Sequence, residues 1–108
     1  MSTAADTAVT AAVLRRALIA GARRVIAGRD LLNRINVFPV ADGDTGTNLA
    51  ATLGGLLNGA LRRRSGHVGE LLQQVGEQAI DGARGNSGAI LAQFLHGAAE
   101  HARSQRVL

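Results

Sequence analysis

Only two aromatic side chains, Phe38 and Phe94, occur among the 108 residues, with no tryptophan or tyrosine. A chain of this size can bury about 65% of its unfolded surface, but its core must be assembled from Ala, Leu, Val and Ile. Small aliphatics suit closely packed helices better than strands, which favour β-branched and aromatic residues. The apolar spacing agrees: Val68, Leu71, Leu72, Val75, Ala79 and Ile80 recur at helical intervals. The same reasoning predicts a helix over about Thr7–Ala27, carried by Leu14, Leu18, Ala22 and Val25, with its cap between Thr3 and Asp6 and with Val9 and Val13 extending the stripe. A short turn of helix is expected over Asp30–Ile35. Further helices are expected over about Thr47–Leu61, Val68–Ile80 and Ser87–Ala102, the last with Ile90, Leu91, Phe94, Leu95 and Ala98 on one side. The tail after Arg103 is expected to fray. The predicted fold is all-α, an antiparallel helical bundle in one domain.

Missing residue types exclude several chemistries. There is no cysteine, hence no disulfide, thiolate zinc site or cysteine nucleophile. All 12 basic residues are arginine, and without lysine neither a Schiff base nor a Walker A loop can form. Twelve arginines against 8 acids give a net charge of +4. Nucleic acid is not the expected partner, because stacking platforms are lacking. No apolar run approaches the ~18 residues of a membrane span. The first residues lack a basic stretch followed by an apolar core. A cytoplasmic protein without an integral membrane segment is expected.

Between Arg34 and Arg62 the only charged side chains are Asp42 and Asp44. Two carboxylates on a tight, glycine-containing loop repel each other unless a cation neutralises them, and oxygen ligands of this kind suit Mg²⁺ or Ca²⁺. An EF-hand would need an acidic or amide ligand at Gly46, glycine at Thr47 and glutamate at Leu53, which excludes that reading. Mg²⁺ takes few protein ligands and completes its shell with water and phosphate oxygens. Thr45, Gly46, Thr47 and Asn48 follow at a helix start, where free N–H groups and the positive dipole end favour phosphate. A second glycine-rich stretch, Gly82 to Gly88, repeats the pattern, with Asn86, Ser87 and Gly88 at the next helix start and Arg84 as a nearby cation. The same residues also read as ordinary turn and capping residues, with Ser87 as an N-cap.

The run Asn36-Val37-Phe38-Pro39-Val40-Ala41-Asp42-Gly43-Asp44-Thr45-Gly46-Thr47-Asn48 closely resembles the signature of the DhaL-type (Dak-type) kinase domain, and Gly82-Ala83-Arg84-Gly85-Asn86-Ser87-Gly88 resembles that family's second loop. The likeness covers roughly residues 10 to 100. It is nearest in character to the N-terminal domain of FakA-like ATP-binding subunits of fatty acid kinase, with Ala41 in place of a usual proline and Leu49 in place of methionine. The resemblance implies a helical barrel with Mg²⁺–ATP at one rim, of which this chain is about half, a partial DhaL-type domain over residues 1–108. It assigns Mg²⁺ to Asp42 and Asp44, with Asn36 as a further ligand. It assigns phosphate contacts to Thr45, Gly46, Asn48 and Ser87, with Asn86 and Gly88 beside them. It implies phosphoryl transfer from ATP to a fatty acid on a partner protein, or to dihydroxyacetone on a partner subunit. The alternative is a non-catalytic module that binds Mg²⁺–nucleotide weakly or only associates, with itself or with a chain supplying the rest of the barrel. No catalytic residue is assigned; His67, His96 and His101 read as solvated or rim residues.

Overall fold

A computed structural model describes residues 8–35 and 43–107. They form five α-helices and no strand: α1 Ala11–Ala27, α2 Arg29–Arg34, α3 Thr45–Asn58, α4 Val68–Gly82 and α5 Gly85–Ala102, with a 3-10 turn at Ala60–Arg62. The all-α expectation holds. No helix among the described residues is long and apolar enough to cross a membrane.

The helix starts show where local chemistry overrode the apolar pattern. α1 begins at Ala11, because Thr10 supplies the cap: its Oγ1 accepts the Val13 N–H at 3.2 Å. The caps expected between Thr3 and Asp6 lie outside the described residues. Gly28 ends α1 with its N–H 3.1 Å from the carbonyls of Arg24 and Val25, and α2 follows at once. α4 is capped by His67, whose Nδ1 accepts the Glu70 N–H at 3.3 Å. This histidine, expected to be a solvated or rim residue, is half-buried and caps the helix.

α3 packs against each of the other four helices, while α4 and α5 share the most extensive contact. The core is aliphatic, as the composition requires: Leu56, Leu61, Leu71 and Val75 are each at most 2% exposed, and Ala79, Ala92 and Leu95 pack with them. α4 and α5 run antiparallel through small residues. Gly69 sits against the carbonyls of Ala102 and Arg103, and Gly76 against Leu95 and His96. A methyl group on Gly69 would overlap both of those carbonyl oxygens. α3 and α4 are also antiparallel: the Gln78 amide donates to the Gly55 carbonyl at 2.7 Å, near the end of α3.

Three sequence expectations are corrected. The buried stripe of α5 is Gly88, Ala92, Leu95, Ala99 and Ala102; of the residues expected there, Leu95 is buried and Leu91 packs partly against the core, but Ile90 is 62% and Phe94 71% exposed. Close approach of α4 selects the small side chains for contact and turns the bulky ones outward. Val13 and Ile80, expected in their helix stripes, are 47% and 40% exposed. The stretch after Arg103, expected to fray, is held as far as residue 106: the carbonyls of Arg106 and Gln105 accept the N–H groups of Val68 and Gly69, each at 2.8 Å, and so satisfy the first turn of α4.

Candidate functional site

The first motif enters the described structure at Gly43; Asn36 and Asp42 lie outside it. Gly43 has φ +73°, a left-handed conformation that glycine adopts without steric cost. Asp44 follows as the N-cap position of α3, half-buried, with no capping bond from its side chain to the helix. α3 therefore starts at Thr45, two residues earlier than the apolar pattern suggests. Thr45, Gly46 and Thr47 form its first turn, whose N–H groups are met from outside the helix.

That turn is partly committed elsewhere. The Thr47 N–H donates to Asn33 Oδ1 at 2.9 Å, and the Asn33 amide donates back to Thr47 Oγ1 at 2.9 Å. Asn33, on α2, thus caps α3 from outside. Gly46 is buried, and a Cβ there would overlap the Arg29 carbonyl and crowd the Leu32 Cβ. Two of the four first-motif residues expected at a phosphate-binding helix start, Gly46 and Thr47, are thus engaged in holding α2 against α3. Neither Asn33 nor its role is evident in the motif, since the partners are 14 residues apart.

The second stretch is shorter than a loop. Only Ala83 and Arg84 separate α4 from α5, and α5 begins at Gly85 rather than Ser87. Gly85 has φ +64°, and an added Cβ would overlap the Asn48 carboxamide. Both facts require glycine there. Asn86 and Ser87 stand in the first turn of α5, and the Gly88 N–H closes the helix onto the Arg84 carbonyl at 3.0 Å. No side chain caps this turn. Arg84, extended and exposed, occupies the cap position.

The two motifs meet through Thr52, which the sequence reading did not single out. It is 3% exposed. Its hydroxyl donates to the Asn48 carbonyl at 2.9 Å and accepts the Arg84 N–H at 3.1 Å. Gly88 lies directly against the same hydroxyl. With Asn48 on Gly85 and Thr52 on Arg84 and Gly88, the starts of α3 and α5 lie side by side and point the same way. A polar residue one turn after Asn48 on an otherwise apolar helix face is the signal that could have found Thr52. Among the described residues, no group of three or more histidines and acids could hold a metal ion.

A sequence model for the DAK2 domain matches residues 39–108, which include α3, α4, α5, the second motif and the first motif from Pro39 onward. The chain belongs to the DAK2 domain family. Uncharacterized proteins of Staphylococcus aureus strains USA300, COL and N315 are each 38% identical to it over 88 residues, or 82% of the chain. The match spans 16% of the length of each of these curated relatives. α1 and α2 precede the segment matched to the DAK2 domain, yet α2 contributes the Asn33 clamp and the surface on which Gly46 packs. Within the DAK2 segment, Gly85, Asn86 and Ser87 form the first turn of α5, with the exposed Arg84 at its cap position. Backbone amides, a hydroxyl and an arginine at a helix start are the donor set that phosphate oxygens require.

Proposed function

We propose that this chain is the Mg²⁺–ATP-binding part of a DhaL-type kinase domain. The observation that supports it most directly is the joining of the two motif helices at Asn48, Gly85 and Thr52, which sets two positive helix ends beside one another. Polyphosphate binding needs neutralisation of spread negative charge more than covalent protein chemistry. The α5 turn, Gly85 to Ser87, would carry most of the phosphate contact, with Thr45 and Asn48 across from it. Asp44 and Asp42 would hold the metal, with Asn36 as a further oxygen donor. When bound, Mg²⁺ would offset the charge of the phosphate oxygens. The acceptor, a fatty acid on a partner protein or dihydroxyacetone on a partner subunit, would be brought by the partner. Its site is not built from residues described above.

Isothermal titration with Mg²⁺–ADP tests this reading. Saturable binding that is lost in Asp42→Ala, Asp44→Ala supports it. Equal binding by the double variant removes the metal clamp, and absence of binding by the unmodified chain overturns the proposal. With binding established, an acyl-phosphate or ATPase assay with a substrate-carrying partner distinguishes a kinase component from a module that only binds.

A further inference from the structure

The N-terminal half of α1 faces the connector that follows the 3-10 turn. Between them lies a pocket of about 200 Å³ lined by Ala12, Arg15 and Arg16 of α1 and by Arg64 and Ser65 of the connector. Among its described lining residues, three carry positive charge and none carries negative charge. Ala12 precedes the two arginines by three and four positions, so its small side chain shares their stretch of helix surface and leaves room there. Ion pairing does not account for the cluster. The ion pairs among the described residues are Arg29–Asp30 and His96–Glu100, and neither touches it. Glu70 is linked to the lining through Ser65, whose hydroxyl lies 3.0 Å from Glu70 Oε2 and 3.2 Å from the His67 carbonyl. That carboxylate makes no ion pair with the arginines. α1 has no acid in its first turn to offset them.

One atom marks the pocket as more than a solvated surface. Arg15 Nε is buried and has no hydrogen-bond partner. A buried N–H without an acceptor is destabilising, and a charged one more so. Arg15 lines the pocket, and a shift of its side chain toward a bound phosphate would bring that N–H to an oxygen. Guanidinium groups present fixed, planar donors that match phosphate oxygens in pairs. The volume suits a phosphate head and falls below the ~300–1,000 Å³ typical of pockets for larger organic ligands. The pocket also lies away from the motif helices' starts, since α3's 14 residues, about 21 Å of helix, separate the two ends.

We propose that Arg15, Arg16 and Arg64 form a binding site for a phosphate dianion, carried by a small phosphomonoester or by a phospholipid headgroup. The site stands or falls independently of nucleotide binding at the other end of α3. Arginine Nε–Hε resonances of the ¹⁵N-labelled chain are followed during titration with glycerol 3-phosphate, and separately with phosphatidylcholine vesicles containing phosphatidic acid, at matched ionic strength. The Arg15 resonance shifts saturably in one arm, and the arm that saturates identifies the source of the phosphate. Arg15→Gln and Arg64→Gln each weaken binding by at least about tenfold, whereas Arg23→Gln, on the same helix outside the lining, leaves it unchanged. Circular dichroism verifies that each variant remains helical, and Arg64→Gln, on the connector, carries the test if the α1 variant does not fold. A non-saturating response in both arms overturns the proposal. So does saturable binding that survives Arg64→Gln, or that weakens equally with Arg23→Gln.

Discussion

The Thr52 hydroxyl is the hinge pin between the two motif helices: it stands 3.1 Å from the Arg84 amide nitrogen and 2.9 Å from the Asn48 carbonyl oxygen. Both partners belong to motif segments, while Thr52 belongs to neither. Replacement by valine keeps the shape and strands the Arg84 N–H. We expect Thr52→Val to lower unfolding free energy by ~1–3 kcal/mol in urea denaturation, with Thr52→Ser retaining most of it. Wild-type stability in the valine variant would show that the pin contributes nothing.

Asn33 and Thr47 exchange two hydrogen bonds of 2.9 Å. Asn33→Ala removes an external helix cap and should cost ~1–2 kcal/mol, in the range of N-cap deletions. Asn33→Asp can still accept the Thr47 N–H and places negative charge at the start of α3, where the dipole favours it. Its stability should therefore stay near that of the unmodified chain. If the proposed nucleotide site is correct, the same aspartate repels phosphate and weakens Mg²⁺–ADP binding. A thermal melt and a nucleotide titration on one preparation separate the two effects.

Glycines in α3 are not equivalent. An added methyl at Gly46 overlaps the α2 backbone at Arg29, whereas Gly54 has open space around its Cβ position. Gly46→Ala should destabilise by ~1–3 kcal/mol through overpacking. Gly54→Ala should stabilise by ~0.5–1 kcal/mol through better helix propensity. The opposite signs are the test, read from paired denaturation curves; a shared sign refutes the packing at Gly46.

The tail is structural. Removing residues 104–108 deletes the two carbonyls that satisfy Val68 and Gly69. The truncated chain should lose ~1–3 kcal/mol, and amide exchange at these two positions should rise. Unchanged protection of Val68 would place its hydrogen bond elsewhere.

Much of the fold could be read from apolar periodicity, and the misreadings share a cause. Val68, Leu71, Leu72, Val75 and Ala79 appear in the structure on the face that their spacing predicts. On α5 the same method chose Ile90 and Phe94, because periodicity weighs size and hydrophobicity but not how near a neighbouring helix comes. At Gly69 and Gly76 the neighbour comes too near for large side chains. The helix starts at Ala11, Thr45 and Gly85 differ from those that the apolar pattern predicts, because capping and a left-handed glycine set the boundary. In the candidate site, Asp44, Asn48, Ser87 and Gly88 could be picked out by chemistry alone. Asn33 and Thr52 could not, because each acts on a partner distant in the chain.

The α4–α5 hairpin is fastened at both extremities, by Arg84 on Thr52 at one and by Val68 on Arg106 at the other. α1 buries only two residues, both alanine, and α2 buries none. Thermal opening must then begin from the outer pair, α1 and α2, while the hairpin persists. Deuterium should enter the middle of α1 well before the middle of α4, so that the segment holding the Asn33 clamp loosens ahead of the turn it holds.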